Sequence, residues 1–385
     1  MRILWHSVAP WIKTGYGTQT EIFTRRIRDL LGHDVAISTW TMRGGLMKYE
    51  DFTIYPGARD SFGNDIIARH ARHFNAELVV TLTDSFVFLP GATRNIPWVA
   101  WTPVDHDPVP PGVVSALKSG YSVPVAYSRF GEQKMREAGL APLYVPHACH
   151  PTFFEPVTKR QARRNLGLPQ DAYIIGMVGI NQSAPNRKSY PQSLEAFQRF
   201  RNKRPDAFLY LHTRLRSGIG LDLEHLIEHL NIDQNSFQVP DSYELLLGQS
   251  ESVLRDVYSA IDVFLCPYMG EGFGIPIIEA QASGTPIVGT NFSTMPELCF
   301  FGELVEGEPY YTTQSSFQRV PSVDEIVDGL EKVYNYDSAT RKKGRARARR
   351  GIRRHYHPDV VTTRFWAPVL EQAKARIGEF KYPDD

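Results

Sequence analysis

The chain has 385 residues, with 43 Lys and Arg against 42 Asp and Glu, which gives a net charge of +1. This length is enough for about two domains, and the near-zero charge excludes a general attraction to nucleic acid or membranes, so any such attraction must be local. No apolar run approaches the roughly 18 residues that a membrane span needs. Three cysteines at unpatterned spacings, and a first stretch MRILWHSV without signal-peptide features, predict a cytoplasmic protein without a disulfide framework or zinc site.

The first half of the chain alternates short β-rich runs with longer segments of mixed polarity, which is typical of a parallel sheet with crossover helices. After the first strand, Gly15 and Gly17 form a glycine turn, and a helix is predicted from about Thr18 until Gly32 stops it. The predicted strands are Arg2–His6, Val35–Thr39, Leu78–Leu82, Trp98–Trp101, Val123–Tyr127 and Leu143–Val145.

A polar cluster, Asp105-His106-Asp107, follows the fourth of these strands in WVAWTPVDHDPVPP. Residues just beyond the carboxyl ends of parallel strands face the ligand crevice in open α/β sheets. Three interpretations are open: Asp-x-Asp binds a metal that carries a diphosphate, Asp105 or His106 lies at the floor of a cleft and touches a ligand, or the loop is purely structural.

The second half repeats the α/β pattern after a charged, helix-prone hinge, FEPVTKRQARRNLGLPQDAY. A strand Tyr173–Val178 enters a loop that carries Asn181, Arg187 and Lys188, and a helix and the strand Ala207–Thr213 follow. The pattern therefore predicts a second Rossmann-like unit.

The most informative stretch runs from Ala260 to Gly289. It predicts a strand Ile261–Cys266, a glycine-punctuated loop, a helix with Pro276 at its start and a strand Pro286–Val288. A loop that opens into a helix N-terminus is an anion site. Because carboxylates repel phosphate, Glu271 and Glu279 are expected to face hydroxyl groups beside that anion. An anion with clustered hydroxyls describes a nucleotide sugar.

This stretch, PYMGEGFGIPIIEAQASGTPIVGTN with Glu271, seven residues and Glu279, resembles the E-x7-E motif of retaining glycosyltransferases of family 4. The resemblance implies the GT-B fold, with two Rossmann-like domains facing across a cleft and a C-terminal helix that crosses back to the first domain. The implied domains are 1–152 on the acceptor side, 153–355 for the nucleotide sugar and 356–385 for the returning helical segment. His147 matches the stretch that ends the family's first domain.

The implied activity is transfer of a sugar from a UDP-, GDP- or ADP-sugar to an acceptor hydroxyl with retention of anomeric configuration. The acceptor is left open among a glycan, a lipid-linked sugar, a protein and a modified nucleic acid. Two alternatives remain: a nucleotide-sugar epimerase of the same architecture, and a non-catalytic protein that binds nucleic acid or membranes.

Roles carried over from the family assign the donor sugar hydroxyls to Glu271 and the ribose to Glu279. Arg187 and Lys188 match the family's diphosphate-neutralising cations, whereas Ile180 stands where a first arginine is usual. Asn181 is expected to add a neutral donor. The loop residues Gly17, Gly272, Phe273 and Gly274 complete the predicted donor site.

Members with the GT-B fold do not generally need a metal, so the resemblance favours the cleft-floor interpretation of Asp105 and His106 and implies no metal or cofactor. Glu271, Lys188 and His106 are then the candidate catalytic residues.

A dense basic run, Arg341–Arg354, lies in RKKGRARARRGIRRHYH near the C-terminal end. Helical spacing places Arg341, Arg345 and Arg349 on one stripe. A solvated helix face is the favoured interpretation; the alternative is contact with a polyanion or an acidic membrane surface, with peripheral membrane association.

Overall fold

The computed structural model describes residues 1–57, 59–183 and 185–382, which fold into two compact units. The first unit contains Met1–Ala148, the chain from Tyr356 onward and a short segment, Thr312–Ser316. The second contains Cys149–Tyr311 and Phe317–His355. Each unit is built around its own parallel sheet.

The first unit has a sheet in the order β3-β4-β2-β1-β5-β6-β7-β8, parallel throughout except for the antiparallel pair β3 and β4. Its strands are β1 (Arg2–Ser7), β2 (Asp34–Thr39), β3 (Met47–Tyr49), β4 (Phe52–Tyr55), β5 (Leu78–Leu82), β6 (Trp98–Thr102), β7 (Val123–Ala126) and β8 (Leu143–Tyr144). The helices of Met1–Ala148 are α1 (Gly15–Asp29), α2 (Ile67–Phe74), α3 (Pro90–Thr93), α4 (Pro111–Leu117) and α5 (Arg129–Glu137).

The strands predicted for this half are confirmed, each to within one residue at either end. The sequence pattern predicted these strands well because the central strands are buried on both faces and therefore have continuous apolar sequences. Helix α1 begins at Gly15 and not at Thr18, because the Thr14 side chain accepts a hydrogen bond from the Gly17 N–H at 3.2 Å and caps the helix. The edge strand β3 and its neighbour β4 were not predicted; β3 has 3 residues, and none of them is buried.

The second unit has a wholly parallel sheet in the order β11-β10-β9-β12-β13-β14, with a separate antiparallel hairpin of β15 and β16. Its strands are β9 (Tyr173–Val178), β10 (Ala207–His212), β11 (Phe237–Gln238), β12 (Val263–Cys266), β13 (Ile287–Thr290), β14 (Gly302–Val305), β15 (Glu308–Tyr311) and β16 (Phe317–Val320). The helices are α6 (Lys159–Asn165), α7 (Tyr190–Lys203), α8 (Leu223–His229), α9 (Ser242–Leu247), α10 (Glu251–Ala260), α11 (Ile275–Ser283), α12 (Met295–Leu298), α13 (Val323–Tyr334) and α14 (Ser338–Tyr356).

The strand order of the second sheet reverses between β9 and β12. From β9 the chain runs outward through β10 to β11, and from β12 it runs outward on the other side through β13 to β14. Ligands of open α/β sheets bind at such a switch point, beyond the carboxyl ends of the strands. The loops that follow β9 and β12 carry Arg187, Lys188 and Glu271, so the fold brings these residues to the place where a ligand is expected.

The C-terminal segment belongs to the first unit. It contains α15 (Pro358–Val361), a π-helical turn over Thr362–Trp366 and α16 (Ala367–Ile377). Trp366 is fully buried and packs edge-on against Trp5 at 5.5 Å and Trp101 at 5.0 Å between ring centroids. Edge-to-face aromatic packing of this kind stabilises a core beyond the area that it buries, and it anchors the segment on β1 and β6.

Candidate functional site

The loop after β12 is held rigidly by buried hydrogen bonds. The Glu271 N–H donates to Ser293 Oγ at 2.9 Å, and Thr294 Oγ1 donates to the Phe273 carbonyl at 2.5 Å. The loop then turns into α11 at Gly274, whose φ of +101° favours glycine. Every residue from Tyr268 to Gly274 is buried. A rigid, water-poor loop of this kind can present preorganised groups to a ligand.

Glu271 is the centre of a buried ion cluster. Its Oε1 accepts hydrogen bonds from Lys188 Nζ at 2.5 Å and from Arg187 Nη1 at 2.7 Å. Arg187 Nη1 also donates to the Gly270 carbonyl at 2.7 Å. The Glu271 side chain is only 9% exposed, and a buried carboxylate needs such partners because desolvation penalises its charge. The structure therefore brings together three residues that the sequence predicted for one site.

Lys188 is positioned by groups along its whole length. Its methylene stem lies over Gly179, where an added Cβ would come within 3.3 Å of Lys188 Cε. Its ammonium lies 3.8 Å from the centroid of the Tyr268 ring, a cation–π contact. Burial lowers the pKa of Lys188, and the charge of Glu271 opposes that shift. Tyr268 was not predicted for the site, since a tyrosine after a buried strand carries no specific signal.

Glu279 lies in the second turn of α11, in a different environment from Glu271. It is buried, and Tyr258 of α10 donates its hydroxyl to Glu279 Oε2 at 3.0 Å. Burial raises the pKa of Glu279 to about 8, although the Tyr258 hydrogen bond acts in the opposite direction. At neutral pH this carboxyl group is therefore mostly protonated and can both donate and accept hydrogen bonds.

The side chain of Asn181, which was expected to add a neutral donor to the site, is hydrogen-bonded within the protein. Its amide Nδ2 donates to the Leu221 carbonyl at 2.6 Å, and its Oδ1 accepts from the Leu221 N–H at 3.1 Å and from Asn186 at 3.0 Å. These bonds pin the loop after β9 to the chain before α8, so the side chain braces the loop. Ile180, which replaces the family's arginine, is 59% exposed.

The candidate residues of the first unit lie in the segments that follow β1 and β6. Gly17 lies in the first turn of α1, where an added Cβ would meet the Ile12 carbonyl oxygen at 2.0 Å, so no larger residue fits without rearrangement. His106 follows β6, is buried, and its Nδ1 lies 2.6 Å from Asp105 Oδ1. Asp107 instead pairs with Lys134 at 2.9 Å.

The two carboxylates of the Asp-x-Asp pattern thus have separate partners. In residues 1–57, 59–183 and 185–382, no three His, Cys, Asp or Glu side chains are grouped in a way that could hold a metal ion. His106 at the end of β6 is positioned by its contact with Asp105.

Comparison with known proteins places these residues in a family. Residues 158–350, half of the chain, match the family model of "Glycosyl transferases group 1". The chain belongs to that family. The match covers most of the second unit, including the loops of Lys188 and Glu271.

Curated relatives of this group 1 glycosyltransferase chain match part of it. The D-inositol 3-phosphate glycosyltransferase of Stackebrandtia nassauensis is 33% identical over 150 residues, which cover 37% of this chain and 32% of that protein. The one of Corynebacterium urealyticum is 33% identical over 166 residues, 40% of this chain and 37% of that protein. The chain thus spans about a third of the length of these relatives.

Solved structures match almost the whole chain. Sucrose-phosphate synthase of Thermosynechococcus elongatus superposes with a TM-score of 0.73 at 16% identity, covering 97% of this chain and 99% of that one. An Anabaena protein solved in complex with UDP-glucose gives 0.69 at 13% identity, covering 96% and 100%. This likeness confirms the predicted α/β class with the GT-B fold. Among the described residues, no helix is both long and apolar enough to cross a membrane.

The basic run of this group 1 family member forms α14, and several of its arginines bind backbone carbonyls of the second unit. Arg341 donates to the carbonyls of Val333 and Tyr334 at the end of α13, each at 2.9 Å. Arg349 donates to the Ser283 carbonyl at 2.9 Å, at the C-terminus of α11. Arg347 donates to the Phe300 carbonyl. The predicted stripe of Arg341, Arg345 and Arg349 is therefore committed in part to internal contacts.

Arg349→Gln should destabilise the protein by about 1–2 kcal/mol, because a charged hydrogen bond to the last turn of α11 is lost. The neighbouring Arg350→Gln is the matched control and should change the unfolding free energy by no more than about 0.5 kcal/mol. Both arginines are exposed, but within the described residues Arg350 has no hydrogen-bond or ion-pair partner. Urea denaturation of both variants checks this. Equal losses in the two variants would contradict the assignment of Arg349.

Glu279→Gln should change how stability depends on pH. With a folded pKa of about 8 against an ordinary 4.5, the folded wild type binds more protons than the unfolded chain between these values, so this group's contribution falls as pH rises through that window. The glutamine variant lacks this loss. Its free energy of unfolding should therefore rise relative to that of the wild type by about 1 kcal/mol per pH unit. Denaturation of both proteins at about pH 5, 6, 7 and 8 measures the difference in their unfolding free energies. Parallel pH profiles would show that Glu279 is ionised in the folded protein.

Proposed function

We propose that the protein transfers a sugar from a nucleoside diphosphate sugar to an acceptor hydroxyl, with retention of anomeric configuration. The observation that carries the proposal is the buried cluster in which Glu271 accepts hydrogen bonds from Lys188 and Arg187. It lies at the switch point of a group 1 glycosyltransferase domain. The Anabaena neighbour solved with UDP-glucose makes UDP-glucose the first donor to test, with GDP- and ADP-sugars next.

Lys188 and Arg187 are suited to stabilise the negative charge that develops on the leaving group during the reaction. As the glycosidic bond breaks, the leaving diphosphate gains negative charge. Lys188, Arg187 and the N-terminus of α11 at Gly274 stabilise that charge from fixed positions, which is the most effective form of electrostatic catalysis. Lys188 has three N–H donors, so it can retain Glu271 and still donate to a phosphate oxygen.

The carboxyl groups bind hydroxyls. Glu271, oriented by its two cations, accepts hydrogen bonds from the donor sugar. Glu279, protonated at neutral pH and hydrogen-bonded to Tyr258, binds the ribose. Gly272 and Phe273 supply the backbone of the same loop. His106, held by Asp105, is the candidate of the first unit for contact with sugar or acceptor.

Retention follows in this proposal from attack on the face that the leaving group departs from. The acceptor oxygen approaches beside the diphosphate, and an oxygen of the diphosphate takes the acceptor proton. The new C–O bond forms as the bond to the diphosphate breaks. No side chain of the site is needed as a nucleophile in this scheme, in contrast to the paired carboxylates of retaining hydrolases.

Lys188→Ala should lower kcat by about a hundredfold and raise the donor KM much less, because the lysine acts mainly on charge that develops in the transition state. Steady-state kinetics with UDP-glucose, GDP-mannose and ADP-glucose measure both constants, with the exposed Lys343→Ala as control. A rise in KM at unchanged kcat would mean that Lys188 binds the ground state and transition state equally. Absence of binding by all three donors would refute the proposed function.

Transfer should proceed without a divalent metal, because cationic side chains already neutralise the diphosphate. Activity measured after EDTA treatment and gel filtration should equal that of untreated enzyme. Loss of activity that manganese or magnesium restores would instead assign the diphosphate to a metal, with Asp105 as the first ligand to substitute.

A further inference from the structure

A pocket opens on the second unit, beside the ion cluster of Glu271, Lys188 and Arg187. Its volume is about 370 Å³, and we call it the hairpin pocket because one wall is the hairpin of β15 and β16. The opposite walls are the loop after β9 and the start of α7. The residues that matter for its chemistry are Pro185, Pro191, Gln192, Met269, Glu308 and Tyr310.

We propose that the hairpin pocket binds an uncharged carbohydrate, and that in transfer it holds part of a glycan acceptor. The first statement stands on the lining of the pocket alone. The second rests on the proposed function.

The apolar part of the pocket offers a ring surface. Tyr310 is 40% exposed on the hairpin, and Pro185, Pro191 and Met269 provide further C–H surface. A pyranose has an apolar C–H face on each side of the ring, and an aromatic face or a proline ring covers such a surface well. A volume of about 370 Å³ lies in the range of small-molecule sites, roughly 300–1,000 Å³.

The polar groups of the pocket are available for hydroxyls. In the part of the chain that the structure describes, the Gln192 amide and the Glu308 carboxylate have no hydrogen-bond or ion-pair partner. An amide donates and accepts, and a carboxylate accepts twice, so the two groups suit adjacent hydroxyls on one ring. The described lining contains no Lys, Arg or His, so a phosphorylated or carboxylated ligand would meet the Glu308 charge without a cation to offset it. This combination favours an uncharged polyhydroxyl ligand.

The hairpin pocket is coupled to the ion cluster through one residue. The Met269 N–H donates to the Arg187 carbonyl at 2.9 Å, and the Met269 carbonyl accepts from the Arg319 N–H of β16 at 2.9 Å. Met269 therefore joins the hairpin to the loop of Arg187, two residues before Glu271. A glycan seated in the pocket would thus lie against the same loop that holds Glu271.

The test is titration of the full-length protein with methyl α-D-glucopyranoside, methyl α-D-mannopyranoside and maltose, followed by saturation-transfer NMR. We expect millimolar binding of at least one of them, weakened about tenfold by Tyr310→Ala and three- to tenfold by Gln192→Ala, the loss expected for one stacking or hydrogen-bonding group. Tyr311→Ala is the matched control. Tyr311 is 59% exposed, neighbours Tyr310 on the same strand and contacts Phe317 at 5.1 Å, so its loss should leave binding unchanged.

One further variant tests whether the glycoside binds in the hairpin pocket. Lys188→Ala should retain glycoside binding, because the lysine lies outside the pocket. The proposal is overturned if none of the three glycosides binds, if Tyr310→Ala binds as well as wild type while folded by circular dichroism, or if glucose 6-phosphate or n-octanol competes more strongly than the glycosides. Stronger competition by glucose 6-phosphate would assign the pocket to an anionic ligand, and stronger competition by n-octanol would assign it to an aliphatic one.

The same variants separate this inference from the proposed function. If the glycan lies in the hairpin pocket during transfer, Tyr310→Ala raises the acceptor KM with donor affinity by calorimetry unchanged. Donor binding with an unaltered acceptor KM would overturn the acceptor role while the proposed function stands. Glycoside binding without any donor binding would refute the proposed function and keep the carbohydrate pocket.

Discussion

The second unit depends on the neutralisation of one buried carboxylate. Glu271 lies in the loop after β12 with little exposure, and a lone charge there would cost several kcal/mol. Its cations, Lys188 and Arg187, come from the loop after β9, 83 and 84 residues earlier in the sequence, so the two loops must be held in register. Tyr268 donates to the Val178 carbonyl at 3.0 Å and Tyr190 donates to the Gly179 carbonyl at 2.7 Å. These tyrosines fix both loops at the switch point.

The two carboxyl groups of the motif, Glu271 and Glu279, have different surroundings although they are the same type of residue. Glu271 is surrounded by cations, whereas Glu279 has a phenol as its neighbour, and burial raises its pKa to about 8. Glu279 is therefore suited to be neutral at pH 7, whereas Glu271 is bound by two cationic side chains. The spacing of the motif alone contains no information about this difference, because it depends on Tyr258, which comes from another helix.

The sequence was sufficient for the features that rest on local pattern. Fully buried strands such as β5 and β9 have continuous apolar runs, and the loop after β12 has glycines where the backbone needs them, as at Gly274. The sequence was insufficient where partners are distant. Asn181 looks like a free polar residue in a loop, yet its amide is bound to Leu221, and the hairpin of β15 and β16 is exposed and short. Tertiary contacts, and not local propensity, decide such cases.

The basic helix α14 gives the strongest example of a pattern changed by its contacts. A run of arginines suggests a field directed at solvent, but Arg349 lies at the C-terminus of α11, where it donates to the Ser283 carbonyl beside Gly284. The other end of α11 opens at Gly274, next to Glu271. A helix of 9 residues is about 14 Å long, and its dipole favours a cation at the C-terminus and an anion at the N-terminus. Arg349 supplies the first. The proposed diphosphate would supply the second, so a residue at the C-terminal end of the helix stabilises the same dipole that the proposed donor would use. Part of the charge of the run is thereby used in contacts within the second unit, whereas Lys342, Lys343 and Arg350 are exposed to solvent.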